Sequence, residues 1–456
     1  MLIKQSIFIS VMALSGLVMP SRQLSAQVVI AAPEFRQGNS GYAGFEQERY
    51  SSDKQRSFQH VSADTTDGYS LEMLEAEALK LSPAVHQAAS KLQAEKWRLL
   101  QAGLPNNPEA GIDFQQLGSD GQAEQYGITV SQELTVAEKR RLNQSISESE
   151  IHRLESELNQ VKQRVLTDIR ILHLRGLRAA KEVAITDQLV ASAQKGLRLT
   201  TELLQAREVS RMDVLQAEVE IESTHILNHR AIATQEAIRR EMVALTGVVQ
   251  IHGKQLLGDL DSIPPELVYQ DCLGQLLSQS PEVISARAAI ETAKRKVQRQ
   301  TVESRPNVTV GGLFNWRDNG AGGRPNGGLA VSIPIPVWNK NQGSIGAAKS
   351  ALIVARKDLE RIEVQIASQL ADAFKRYSIA ADQVARYRSK ILPKTEEMFA
   401  LTRQSFNLGE VDFVYLLRAQ SDYANHRHAY LDAIETLRIA HIEIDGMLLS
   451  KSLSQP

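Results

Sequence analysis

The sequence predicts a mainly α-helical chain, a tandem duplication of long coiled-coil units that carries a smaller membrane β portion. Three observations predict it. One apolar ladder occurs twice, matched pairs of period-two segments occupy equivalent places in the two copies, and no stretch is long and apolar enough to cross a bilayer as a helix.

The ladder runs Ile151, Leu154, Leu158, Val161, Val165, Ile169 and again Leu352, Ala355, Leu359, Ile362, Ile366, Leu370, each pair 201 positions apart. Steps of 3, 4, 3 and 4 make a coiled-coil seam, and the further step of 4 locally relaxes the left-handed supercoil. Other landmarks align as well. Ser82-Pro83 matches Ser280-Pro281 and Pro108 matches Pro306 at 198; Gly127-Ile128 matches Gly328-Leu329 at 201; Arg207-Glu208-Val209 matches Gly409-Glu410-Val411 at 202. Each unit therefore reads as short helix, two strands, long helix, tight turn and return helix, with the small length differences placed in loops. The units span residues 70–250 and 267–449, followed by a tail at 450–456.

Ahead of them, Lys4, an apolar run of 13 residues from Ile7 to Met19, and the small residues of Leu24-Ser25-Ala26 form a signal-peptide pattern over residues 1–26. The run is short of the ~20 residues a spanning helix needs. Residues 27–69, polar and rich in Gly, Ser and Gln, read as a flexible lead-in or extended strap rather than a domain. The single Cys272 makes no internal disulfide and is read as a small core residue. With no cysteine beside the cleavage site, a lipid-anchor signal is missing. The charge balance, 52 basic against 53 acidic residues, gives no electrostatic footprint for nucleic acid, and Lys139-Arg140-Arg141 and Lys294-Arg295-Lys296 read as solvated helix faces.

Between the short and long helix of each unit lie two segments of period two. Ile112 and Phe114 alternate with Asp113 and Gln115, and after a loop at 118–122, Ile128 and Val130 alternate with Thr129 and Ser131. In the second unit Val308, Val310, Gly312, Phe314 and Trp316 share a face, as do Leu329, Val331, Ile333, Ile335 and Val337 beyond the loop at 317–328. The expected strands, about 109–117, 124–134, 307–316 and 328–337, have the length and alternation of membrane β-strands. Trp316 and Trp338 stand at opposite ends of the second hairpin, as an aromatic girdle requires. Pro334 and Pro336 should end pairing near Ile333. Four strands cannot close a barrel, and open edges are not tolerated in lipid, so a cyclic oligomer follows; three copies give 12 strands.

Glu138 to Ala206 contains no strong breaker and predicts a rod of about 100 Å. Its return helix, about Met212 to Gly247, is half as long, and Pro83 to Leu104 supplies the rest. The second unit repeats this with Ser344 to Asn407, Phe413 to Gly446 and Pro281 to Ser304, and Pro393 predicts a static kink in the second rod.

These segments resemble the TolC family of outer-membrane efflux channels over about residues 70–449. The resemblance is carried by Leu329-Ala330-Val331-Ser332-Ile333-Pro334-Ile335-Pro336 with Asn339 to Gly343, by Leu408-Gly409-Glu410-Val411-Asp412 leading into Leu416-Leu417-Arg418-Ala419-Gln420, and by Glu208 to Glu218 in the first unit. The Ile-Pro-Ile-Pro stretch followed by Asn-Lys-Asn-Gln-Gly is most similar to the CzcC-type heavy-metal branch. The resemblance implies a homotrimer in the outer membrane, with a 12-stranded barrel and a periplasmic α-barrel of twelve helical strands. It implies a periplasmic adaptor and an inner-membrane pump of the resistance-nodulation-division class as partners. Such a channel is no enzyme and carries no cofactor; it is a passive exit duct, here for heavy-metal cations.

By the same resemblance the tips that meet the adaptor are Arg207, Glu208, Val209 and Ser210 with Leu408, Gly409, Glu410 and Val411, and the periplasmic aperture falls at Asp213, Tyr415 and Arg418. Gly409 suits a left-handed helix exit. Arg207 departs from the family's glycine, so the first turn is expected to be shaped differently. His225 and His229, four apart on a helix, have zinc-ligand spacing but lack a third ligand and read as solvated side chains, and His426 and His428 cannot share a face. No metal site is expected. Two rival readings are a TolC-like duct for drug efflux or type I secretion, and a periplasmic coiled-coil protein without a pore.

Overall fold

The computed structural model describes residues 68–117, 123–248, 255–318 and 322–452. The expected signal peptide, nearly all of the lead-in, the loop at 118–122 and the end of the tail lie outside the described residues.

Each repeat contributes the same order of elements. The first holds α1 (Leu71–Leu81), α2 (Pro83–Gly103), β2 (Glu109–Leu117), β3 (Ala123–Leu134), α3 (Lys139–Gln205) and α4 (Arg211–Thr246). The second holds α5 (Tyr269–Gln279), α6 (Pro281–Glu303), β5 (Val308–Asp318), β6 (Asn326–Ser332), α7 (Gln342–Arg386), α8 (Leu392–Asn407) and α9 (Phe413–Asp445). The single short helix expected at the head of each unit is two helices. A buried Ser ends the first, and the following proline, at the first position of the next, has no N–H to lose there.

Two further strands escaped the sequence. Gly68 and Tyr69 form β1, paired in parallel with β4 (Gln255–Leu256), so the end of the expected flexible lead-in is a buried strand. Two residues carry no readable period. The connector that follows β4 straps the helices together. Leu260 is buried; the Lys181 ammonium and the Tyr430 hydroxyl (3.1 Å) donate to the Asp261 carboxylate, and His173 Nε2 lies 3.0 Å from the Leu257 carbonyl. Burial and the adjacent carboxylate push the Tyr430 phenol up to about 12, so it stays a donor. The tail is docked at its start: the backbone N–H groups of Lys451 and Ser452 donate to Asp168 at 2.8 and 2.6 Å.

The 67 residues of α3 make a rod of about 100 Å. Near the strands it packs against α2 and α6, and farther along against α4 and α9. All twelve ladder residues are buried or half-buried, with Val165, Ile169, Ile366 and Leu370 wholly enclosed. The core is two buried clusters: Val165 and Ile169 pack with Leu74, Leu172 and Met242, and Ile366 and Leu370 with Leu174, Leu276, Val283, Ile434 and Leu437.

One length difference is not in a loop. The repeats are 201 residues apart at Ile169 and Leu370 but 202 apart at Arg207 and Gly409. The extra residue is absorbed inside the second rod, where α7 passes into α8 through a π-turn (Tyr387–Ile391) in which the Leu392 N–H bonds the Tyr387 carbonyl. Pro393, which has no N–H, follows directly, so the widened turn lies where the α-helical ladder would be interrupted.

Leu370→Ala should lower the stability of the purified assembly by about 3 kcal/mol, because the truncated side chain leaves a cavity in a fully enclosed seam. Denaturant unfolding in detergent measures it.

Candidate functional site

Two regions stand out: the exposed four-stranded sheet, and the turns at the far end of the rods.

The four strands form one antiparallel sheet in the order β2-β3-β5-β6, the two repeats joined along β3 and β5. Cross-strand pairs place Ile112 opposite Ile128, Ile128 opposite Phe314, Val130 opposite Gly312, and Val310 opposite Val331. These side chains, with Phe114, Leu329 and Trp316, cover one face, and in a single chain they are exposed, Leu329 at 91%. The other face carries Asp113, Gln125, Thr129, Ser131, Thr309 and Asn315. An apolar, uncovered face backed by a polar one is the pattern of a wall between lipid and water.

The expected span of the last strand is corrected: pairing stops at Thr309 with Ser332, so 333–337 lies outside β6, and Pro334 and Pro336 cannot extend the ladder. β3 begins one residue early and β5 runs on to Asp318. Near its outer end the β3–β5 register shifts, with Tyr126 opposite Arg317 but Gly127 opposite Asn315, which leaves Trp316 unpaired as a bulge. The bulge turns both Asn315 and Asp318 to the polar face, where each is 4% exposed. Gln125 donates to Asp318 (3.0 Å), Asn315 to Asn326 (3.0 Å), and Asn326 to Asp318, and a Cβ on Gly127 would collide with Asn315. Strict alternation conceals this network.

At the far end both tips use one geometry. Arg207 N–H donates to Leu204 O and Glu208 N–H to Leu203 O, each at 3.0 Å; Gly409 N–H donates to Phe406 O at 3.0 Å and Glu410 N–H to Ser405 O at 2.9 Å. Arg207 and Gly409 both adopt left-handed backbone, with φ of 63° and 74°. The expectation of a differently shaped first turn is therefore corrected: the hydrogen bonds that close the helix end impose the conformation, and the arginine adopts it at a steric cost.

Glu208, Ser210, Leu408, Gly409 and Glu410 are exposed, and Val209 and Val411 are half-buried. Asp213 is engaged in a capping box: its carboxylate accepts from Ser210 N–H (2.8 Å) and Ser210 Oγ (2.6 Å), while Ser210 Oγ accepts from Asp213 N–H. These bonds hold the carboxyl below its ordinary value of 3.8, so it is ionised at neutral pH. Tyr415 and Arg418 are exposed, in the first and second turns of α9. His225 and His229 are exposed on α4, and among the described residues no group of three His, Cys, Asp or Glu side chains is placed to hold a metal ion.

A lipid-facing sheet with unpaired edges, carried on seamed rods about 100 Å long, defines a membrane conduit that hangs into an aqueous compartment. The comparisons agree. The family model described as outer membrane efflux protein matches residues 272–448. The cobalt-zinc-cadmium resistance protein CzcC of Cupriavidus metallidurans is 22% identical over 365 residues, covering 79% of this chain and 85% of that protein. Crystal structures of CusC superpose with a TM-score of 0.68 at 16% identity, covering 84% of this chain and 92% of that one. The outer membrane protein VceC from Vibrio cholerae gives 0.67 at 16% identity, covering 82% and 96%. The chain has the TolC-like fold of these outer-membrane channels, and its second repeat matches the outer membrane efflux protein family. A poreless periplasmic rod is set aside, since it leaves the uncovered apolar sheet unexplained.

Leu329→Arg should block membrane assembly, because a lipid-facing arginine costs about 2–4 kcal/mol near mid-membrane, whereas Ala330→Arg on the polar face should assemble normally; membrane fractionation separates the two. At the tips the substitutions should have opposite signs. Arg207→Gly should stabilise by about 0.5–1 kcal/mol, the relief of left-handed strain less the entropy of glycine, and Gly409→Ala should destabilise by about 1 kcal/mol, both read from thermal unfolding.

Proposed function

We propose that three copies join edge to edge into a 12-stranded barrel continued by a helical cylinder, and that this homotrimer is the passive exit duct of a tripartite efflux system for heavy-metal cations. The carrying observation is that β2 and β6 are left as the sheet's two edges, in a sheet whose face is apolar. Unpaired N–H and C=O groups are costly in lipid, and an edge that differs on the two sides closes by head-to-tail repetition into a ring.

In this reading the tips at Arg207 to Ser210 and Leu408 to Val411 receive the hairpins of a periplasmic adaptor, which couples the duct to an inner-membrane pump of the resistance-nodulation-division class. Asp213, Tyr415 and Arg418, just inside the tips, line the aperture. A threefold ring of ionised Asp213 favours cations, and a ring of Arg418 opposes them, so that the balance between the rings sets the entry field. Cargo of the cobalt, zinc and cadmium type is supported by the likeness to CzcC along most of the chain.

Deleting the gene in a host with no second duct of this kind should raise sensitivity to zinc, cadmium or cobalt, and the wild-type gene should restore tolerance. Unchanged metal tolerance together with new sensitivity to drugs, or loss of a secreted protein, would assign the duct to the alternative cargo.

A further inference from the structure

The two return helices are equivalents that differ in company. Residues of α4 match residues of α9 at 202 positions, so that Ala217, Ala231 and Met242 correspond to Ala419, Ala433 and Ile444, and all six are buried. Below the core clusters α4 packs on α3, whereas α9 packs on both α8 and α3. The added contact gives α9 a second buried face: Gln420, Ala424, Leu431 and Ile434 are enclosed, but their counterparts Glu218, Glu222, His229 and Ile232 are exposed. α8 is open in the complementary way. Gln188, Ser192, Gly196 and Leu199 of α3 line a cavity of about 610 Å³ beside α9, and their counterparts Lys390, Lys394, Met398 and Leu401 face solvent.

Within the chain, neutral groups join α3 to α9 beside the cavity, Ser192 Oγ donating to Gln420 Oε1 at 3.4 Å. At the equivalent positions the open faces carry Lys394 and Glu218. One turn higher they carry Lys390 and Glu222, in place of Gln188 and Ala424. α8 descends towards the tip and α4 climbs away from it, so the upper lysine matches the upper glutamate and the lower matches the lower, with opposite signs at both levels. Among the described residues none of these four side chains has a hydrogen bond or an ion pair within its own chain.

We propose that the next copy seats its α4 on α8 as α9 sits on α3, in the same register, so that Lys394 pairs with Glu218 of the next copy and Lys390 with Glu222 of that copy. The sheet fits the same equivalence. Ile128 pairs with Ile112 and Phe314, and its counterpart Leu329 pairs with Gly312. Carried across the seam between copies, this pairing sets Leu329 opposite Phe114 and Val331 opposite Ile112, outward side chains with outward ones, and the apolar face runs on unbroken. Two α8 faces, or two α4 faces, would juxtapose like charges, so the docking is head to tail and closes into a ring. A similar duct with neutral residues at these places offers no partner charge, so the ladder also selects a second copy of this chain. The inference rests on the homotrimer reading above and adds the contacts that direct it.

The test treats the full-length particle in mild detergent with a zero-length carbodiimide, which joins an amine to a carboxylate only in direct contact, and reads the linked peptides from the two-copy and three-copy bands. Lys394 linked to Glu218 and Lys390 linked to Glu222 are expected, and Glu218→Gln with Glu222→Gln should abolish both. In a second measurement, Lys390→Glu with Lys394→Glu should lower the temperature at which the particle dissociates, and Glu218→Lys with Glu222→Lys added to the same chain should recover it. Linkages in another register, or a reversal that the compensating pair does not recover, overturn the ladder. Native mass keeps the two readings apart: a particle of three copies without these linkages leaves the homotrimer standing and defeats the ladder, and a single copy defeats both.

Discussion

A backbone polar group in hydrocarbon must find a partner, and the rest of this molecule is organised around that requirement. Four strands leave two edges unpaired, and one chain has no means of satisfying them. The sheet order joins the repeats through β3 and β5 and leaves β2 and β6 outermost, the two edges that the proposed neighbouring copies satisfy. The helices follow the same plan, with α3 interior to the chain and α2 and α7 left at its sides. Wall and rods are therefore incomplete in the same directions, and the proposed ring of three copies completes both.

Duplication explains the economy of the design, and divergence explains its asymmetry. The two seams share a ladder and bury it alike around Ile169 and Leu370. Below the core the copies part company: the first hairpin is closed by small and β-branched side chains, and the second by an aromatic stack beside a cavity. A single inserted residue marks the divide, and a widened turn keeps it from unphasing the tips.

Long, strongly periodic features were legible in the sequence because one physical cause repeats along them. Alternation located β2 to its residue bounds and β3 and β5 to within two residues, but it carried β6 five residues past Ser332, where Pro334 and Pro336 stop the ladder, and the seam placed the rods. Features produced by one or two residues were not legible. The β1–β4 pair has no period, the bulge at Trp316 reverses the alternation it sits in, and the π-turn left only a change in repeat spacing from 201 to 202, which a loop explains equally well. At the tips, side-chain identity misled: Arg207 takes the left-handed conformation that Gly409 takes, because helix-end hydrogen bonds outweigh a steric cost of about 1–2 kcal/mol. Asp213 was singled out for its charge, and its closest business is capping its own helix.

The most direct test of the account is the mass of the intact particle. Extracted from membranes in mild detergent and weighed by native mass spectrometry, the mature protein should appear as three copies of the chain, dissociating only when the detergent is exchanged for a denaturant. A single copy that stays in solution with no detergent at all would contradict the account, since its uncovered sheet and open edges would then need neither lipid nor neighbours.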